Sequence, residues 1–410
     1  MREVIGITAE YNPFHNGHLY MLREAKAKFS DAAVIIILSS NFTQRGEPAI
    51  CDKFARAETA LAGGADLVLE LPFIFSCAAA QDFSAASIDI LAKTNLASHI
   101  AFGLENINYS NLDALIDLLL HEPENFKNNL KLNLKLGMSY TRALSRAANQ
   151  IIPGSEEFLL QPNNMLAISY LKRIKERNYN LTPLFIPRTG AAHNFNNLNF
   201  NLNFASSSAL RTAIKDNKLE VLNNYMPESS VKILKQAAAQ GRTCINANKK
   251  LWLMLQSILL RSSPSELSNF DLINNGLENL FINNFKNFNN LDDFIDKCVS
   301  LRYTRSHIRR CLMRILIGVS KRDALEIRES GAGYARVLGF SETGRELLKI
   351  ARSRSHIKLI TRLAAAKSNL CAKYEFTAEN FYELLLDNNN NNLNYELKLT
   401  RQINHARGNH

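Results

Sequence analysis

The sequence predicts an α/β protein, a Rossmann-like, doubly wound parallel sheet joined to a mainly α-helical C-terminal half. Three observations lead there. In the first half, short β-branched runs alternate with helical patterns in units of about thirty residues. One of these runs, AAVIIILSS (32–40), is apolar almost throughout, as a central parallel strand covered on both faces requires. Beyond about residue 216 strand signals fade and helical periodicity takes over.

Taken in order, VIGITAE (4–10) is a first strand, and HNGHLYMLREAKAKF (15–29) is a helix on the spacing of Leu19, Leu22, Ala25 and Phe29. After the strand 32–40, KFARAETALAGG reads as a helix closed by glycines, and ADLVLELPF as a strand ended by Pro72. SAASIDILAKTNL is helical and SHIAFGLE is a strand. SEEFLLQPNNMLAISYLKRIKERN is a loop running into a helix, and LTPLFIPR is a further strand. The Asn-rich AAHNFNNLNFNLNF reads as a loop, because Asn favours turns and brings little apolar surface. ASSSALRTAIKDN then opens a helix on a run of serine caps. In the second half VKILKQAAA, KKLWLMLQSILL, HIRRCLMRILIGV and GRELLKIARSR carry helical spacing. The Asn-rich stretches 269–290 and 388–394 suggest loops, and RQINHARGNH a frayed tail. The expected division is an ATP-binding catalytic domain over 1–215 and a basic helical domain over 216–410.

Composition narrows the function. With 410 residues, 46% hydrophobic and 21% charged, the chain has ample material for a core. No run of about 18 apolar residues lacks charge, and the N-terminus has no signal-peptide pattern, so neither a membrane nor export is expected. Six cysteines without CxxC or Cys/His spacing argue against a zinc ribbon or a disulfide framework and fit a reducing cytoplasm; no metal-ligand set is read. The net charge of +11 favours a polyanionic partner over a neutral one, although a solvated basic surface accounts for the same number.

The sharpest chemical signal is His15-Asn16-Gly17-His18, directly after a strand and opening a helix. A helix N-terminus presents free N–H groups and a positive dipole end to phosphate. A glycine lets a nucleotide approach the backbone, and two imidazoles one turn apart can donate to phosphate oxygens as charge builds at the α-phosphorus. Both histidines are the candidate catalytic residues. Ser206-Ser207-Ser208 with Arg211 offers a second helix N-terminus and a cation, with Ser207 and Arg211 as candidate phosphate contacts, although serines also simply cap helices. Gln44-Arg45-Gly46-Glu47-Pro48 and Lys53 form a polar loop running into a helix. Arg302, Arg305, Arg309 and Arg310 crowd one stretch with Tyr303 and His307, as phosphate contact and base stacking on RNA require. A solvated helix face explains the same arginines equally well.

The HxGH placement resembles the signature of the nucleotidyltransferase superfamily, and the serine segment resembles its ISSTxIR-like motif. Over nearly the whole chain, EYNPFHNGH (10–18), NFTQRGEPAICDKFARAETALAGGADLVLELPF (41–73), FGLEN (102–106), QPNNMLAISYL (161–171), IPRTGAAHN (186–194) and RVLGFSETGRELL (336–348) resemble the bacterial tRNA(Met) cytidine acetate ligase family. The α/β half matches best; the Asn-rich insertions and the last thirty or so residues match poorly. The resemblance implies an enzyme that uses ATP to turn acetate into acetyl-AMP, then acetylates the wobble cytidine of elongator tRNA(Met), with Mg2+ arriving on the nucleotide.

It further implies an ATP site built from Ile7, Thr8, Ala9, Glu10, Tyr11, Asn12, Pro13, Phe14, His15, Asn16, Gly17, His18, Leu19 and Tyr20 together with Gly103, Asn163 and Arg188. The implied tRNA contacts are Arg45, Lys53, Arg302, Arg305, Arg309 and Arg310. DNA and membrane are not expected partners, and the sequence assigns no oligomeric state. Where the family usually has a glycine this chain has Ser40, which bears on the acetate pocket. Two other readings are a small-molecule adenylyltransferase of the same superfamily and a non-catalytic RNA-binding protein on that scaffold.

Overall fold

The computed structural model describes residues 2–105, 109–187 and 204–387 and the backbone of 403–405. Its strands are β1 (Val4–Ala9), β2 (Ala33–Ser39), β3 (Leu67–Leu71), β4 (His99–Leu104), β5 (Thr182–Pro187), β6 (Tyr334–Ser341), β7 (Lys358–Ile360) and β8 (Ile403–His405). They form one sheet in the order β5-β4-β1-β2-β3-β6-β7, with β8 also on β6. The five strands of the first half are all mutually parallel, as the alternating strand and helix pattern predicts. Ala33–Ser39 is buried at every position because β2 is central and has helices over both faces. Its residues alternate between two cores. Val34, Ile36 and Leu38 join Ile5, Ile7 and Val68 on one side, while Ile35 and Ile37 join Leu67 and Leu69 on the other.

The predicted helices of the first half form at Asn16–Ala27, Lys53–Ala62, Ala80–Lys93, Pro162–Arg177 and Ser207–Lys215. Because strands follow the right-handed crossover pattern, the C-terminal ends of β1, β2 and β4 meet at one edge, where loops carry the candidate residues.

Three features depart from the sequence expectations. The second half is not only helical: β6 runs antiparallel along β3 with a bulge at Val68/Leu69, so residues 334–341 extend the N-terminal sheet. The Asn-rich 269–290 stretch is not all loop; Leu277–Asn284 is helical because Leu277 and Phe281 recur on one buried face. The expected frayed tail includes β8, whose backbone pairs in parallel with Gly339–Ser341. The Asn-rich stretches 191–203 and 388–394 lie outside the described residues. One hydrophobic cluster runs from Val4 to Leu386, so the segments 1–215 and 216–410 share a core. Among the described residues no helix is long and apolar enough to cross a membrane.

Candidate active site

β1 ends in a tight turn. Tyr11 sits at φ +48 and the Asn12–Pro13 peptide is cis. Tyr11, Asn12 and Phe14 are buried, which turns this stretch into the floor of the site. The side chain of Asn12 accepts from the Ile50 N–H at 2.8 Å. Arg56, buried in the helix Lys53–Ala62, donates to the carbonyls of Glu10 (2.8 Å), Ser39 (3.0 Å) and Ser40 (2.7 Å). One guanidinium therefore ties the ends of β1 and β2 together, and all three carbonyls are paired in a place where water does not reach.

His15 is the N-cap of the helix Asn16–Ala27. The Gly17 N–H donates to His15 Nδ1 at 3.1 Å, and the His15 N–H donates to His18 Nδ1 at 3.2 Å. Each Nδ1 is thus an acceptor, which assigns the ring proton of both neutral imidazoles to Nε2. The rings stack with centroids 3.7 Å apart, and Tyr11 meets His18 edge-on at 4.9 Å. A Cβ on Gly17 would lie 3.0 Å from His15 Cε1, so the glycine makes room for the capping ring itself. The result is two preorganised Nε2–H donors on a helix N-terminus, next to its free backbone N–H groups.

The second phosphate candidate converges on the same turn. Ser206 caps the helix Ser207–Lys215 by accepting from the Ala209 N–H. Arg211 donates to the Asn12 carbonyl at 2.8 Å and to Ser208 Oγ at 3.2 Å. Arg45 also donates to Ser208 Oγ, at 2.8 Å. Burial, with the Arg45 charge beside it, lowers the Arg211 pKa to about 10. Two guanidiniums on one hydroxyl repel each other, and an anion placed between them relieves the repulsion. Ser207, the residue singled out from sequence, stands at the first position of this helix; Ser208 is the serine that engages both arginines.

Thr8 Oγ1 hydrogen-bonds the hydroxyl of Tyr170, whose burial raises its pKa to about 12 and keeps it a phenol. Gly103 lies in β4 opposite Ile186. Just past it, Glu105 accepts from the side-chain amide of Asn163 and from the Asn164 N–H at 3.1 Å, and its own N–H donates to Asn164 Oδ1 at 3.0 Å. Asn163 and Gly103 are thereby held on one loop edge. Leu19 and Tyr20 are half-buried on the first helix, and Asn16 Nδ2 donates to the Asn224 carbonyl at 3.3 Å. Arg188 lies outside the described residues.

Two of the expected tRNA contacts are corrected. Lys53 is fully buried, with its ammonium among Glu70, Glu375 and Glu379, so no RNA can reach it. Those three carboxylates are the one cluster with metal-like spacing found among the described residues, and Lys53 fills the place a cation would take. Arg310 donates to the Gln44 carbonyl at 2.9 Å and is largely buried, so it braces the 44–48 loop from beneath. Arg302 is exposed and precedes the helix Arg305–Ile317, so helical spacing does not align it with Arg305 and Arg309. Arg305 and Arg309 both reach Asp292, at 2.6 and 2.9 Å, and Arg309 also meets Glu47. With Arg211 and Lys215 they line a cleft of about 350 Å³ beside the catalytic turn. Ser40 faces inward and donates to Glu375 at 2.7 Å, away from any acetate pocket. All six cysteines are buried free thiols, and burial pushes Cys51 up to about 12.

Sequence reasoning passed over Glu105, Tyr170 and Glu47. Their partners lie 58 or more residues away, apart from the Asn12-side loop that Glu47 closes, so no local pattern marked them.

The family model for the HIGH Nucleotidyl Transferase matches residues 2–396. A relative from Caldanaerobacter subterraneus subsp. tengcongensis, named tRNA(Met) cytidine acetate ligase, is 36% identical over 371 residues, 90% of each chain. One of the same name from Clostridium perfringens is 34% identical over 391 residues, 93% of this chain and 95% of that one. A crystal structure of Thermotoga maritima TmcAL bound with alpha-thio ATP superposes with a TM-score of 0.89 at 27% identity, covering 98% of this chain and 100% of that one.

Proposed function

This chain belongs to the HIGH nucleotidyl transferases and, within them, to the tRNA(Met) cytidine acetate ligase family, and from that premise we propose that it joins acetate to the exocyclic amine of the wobble cytidine of elongator tRNA(Met) at the expense of ATP. The observation that carries the reading is the pair of Nε2–H donors that His15 and His18 aim from a helix N-terminus.

In the first step an acetate oxygen attacks the α-phosphorus. A new P–O bond forms, the bond to the bridging oxygen breaks, and pyrophosphate leaves. The histidines neutralise charge on the α-phosphate, and Arg211, Arg45 and the helix opening at Ser207 receive the outer phosphates. The protein supplies no nucleophile. In the second step the cytidine amine attacks the acetyl carbon, a C–N bond forms, AMP leaves with its phosphate oxygen, and the amine proton passes to solvent. The base must leave its stack to arrive there.

Arg45, Arg302, Arg305 and Arg309 form the basic approach for RNA, contributed by the 44–48 loop and the helical half. This divides the work between a nucleotide side (1–215) and an RNA side (216–410). Gly103, Asn163 and Arg188 complete the nucleotide pocket. Mg2+ arrives on the phosphates and supplies charge neutralisation there; the nearby protein groups are mostly cationic, and Glu10 is already engaged by the Gln44 N–H at 2.7 Å. A tRNA substrate places the reaction in the cytoplasm.

ATP, labelled acetate and tRNA(Met) are expected to give acetylated cytidine without acetyl-coenzyme A. Turnover to a stable dinucleotide without RNA would instead indicate a small-molecule adenylyltransferase. Salt-dependent tRNA binding with no pyrophosphate release would indicate a non-catalytic RNA binder.

A further inference from the structure

Glu105 grips the first turn of the helix Pro162–Arg177 at three points. It accepts from Asn163 Nδ2 with one carboxylate oxygen and from the Asn164 N–H with the other, and its own N–H donates to Asn164 Oδ1. A carboxylate only accepts, so chemistry fixes which way the Asn163 amide lies. Its N–H end faces Glu105, and its carbonyl Oδ1 is the opposite end. A neutral partner such as a hydroxyl would permit either orientation; a carboxylate permits one. The same loop carries Gly103 two residues upstream, in register on β4.

An asparagine held this way presents an acceptor, and it pairs with a donor. Adenine carries an amine at its six position, which donates, whereas hypoxanthine and guanine carry a carbonyl there, which does not. We infer that Glu105 is a positioning residue that selects adenine over 6-oxopurines by locking the amide of Asn163. The inference rests on the proposed placement of Asn163 at the nucleotide. A 6-oxopurine would set two acceptors against each other, and the Asn163 amide cannot turn to relieve them without breaking its bond to Glu105. Such a mismatch of fixed polar groups costs far more than a missing apolar contact.

The test is equilibrium binding of ATP and of inosine triphosphate to the full chain, which requires neither acetate nor RNA. The wild-type chain is expected to prefer ATP by on the order of tenfold or more. In Glu105→Gln the amide opposite Asn163 can both donate and accept, so Asn163 is able to turn over. The preference should fall toward one, with inosine triphosphate gaining affinity. In Asn163→Ala the preference should also collapse, but through weaker ATP binding.

The inference is overturned if Glu105→Gln weakens both nucleotides equally and keeps the wild-type ratio, because Glu105 is then only a brace. It is also overturned if the wild type binds the two nucleotides alike. Should Glu105→Gln lack the wild-type thermal transition, Asn163→Ala decides alone, and an unchanged ratio sinks the idea. Discrimination in binding without acetylation of tRNA(Met) would sink the proposed reaction and leave this inference standing; acetylation without discrimination would do the reverse.

Discussion

At the scale of single residues, the two histidines have separable duties. His15 caps its helix and packs on His18, while His18 is the ring less committed to helix structure. His18→Ala is therefore expected to lower acetyl-AMP formation on the order of 10²–10³-fold with little change in thermal stability, measured by acetate-dependent pyrophosphate exchange. Lys53 behaves in the opposite way. Its ammonium is the counter-charge of three buried carboxylates, so Lys53→Met should cost about 3–5 kcal/mol in denaturant unfolding. His15, Gly17 and His18 were legible because strand, cap and ring all lie within a few neighbouring positions. Lys53 was misread because a lysine at a polar helix start looks solvated until Glu375 and Glu379 arrive from 322 and 326 residues away.

At the scale of elements, the loop from Gln44 to Pro48 is the hinge between nucleotide and RNA sides. Arg45 reaches Ser208, Glu47 meets Arg309, and Arg310 holds the Gln44 carbonyl. Gly46 permits this closeness. It sits at φ +75, and a Cβ there would lie 2.5 Å from the Arg310 backbone nitrogen. Gly46→Ala combines a strained backbone angle with a contact that the helix Arg305–Ile317 cannot relieve by rotating a side chain. Acetylation of tRNA is expected to fall well below the loss in pyrophosphate exchange, a split that comparing both assays on one preparation would expose; equal losses would mean the loop serves the nucleotide alone. The parallel strands of the first half were readable from their apolar runs and punctuation. β6 was not, because YARVLGFS alternates imperfectly and takes its place only through pairing with β3.

At the scale of the whole molecule, the node around Glu70 couples stability to pH. Burial first, then the Glu375 charge, raises Glu70 to about 7, while Lys53 and Arg336 act against that rise. Glu375 is brought down to about 2, Lys53 overcoming the effect of its burial. The signs differ. Glu375 and its partners contribute stability above the ordinary carboxylate range, lost as pH falls toward 2. Protonated Glu70 contributes most below that range, and its share fades as pH rises through 7. Between pH 5 and 7.5 unfolding free energy should therefore decline in the wild type and decline less in Glu70→Gln; parallel curves would remove Glu70 as the cause. The shared core makes a second expectation. Residues 1–215 alone lack β6 and two of the three Lys53 partners, so that fragment should show no cooperative thermal transition, whatever nucleotide is added.

The position of those partners also sets a timetable. Glu375 follows Lys53 by 322 residues, which at about 5–20 residues per second of synthesis is an interval on the order of 15–60 s. Through that interval the ammonium stays hydrated and the outer edge of β3 stays open. The nucleotide half therefore leaves the ribosome first and matures last, as a client for whatever shields nascent chains, and the completed enzyme forms only when its final long helix closes onto the beginning.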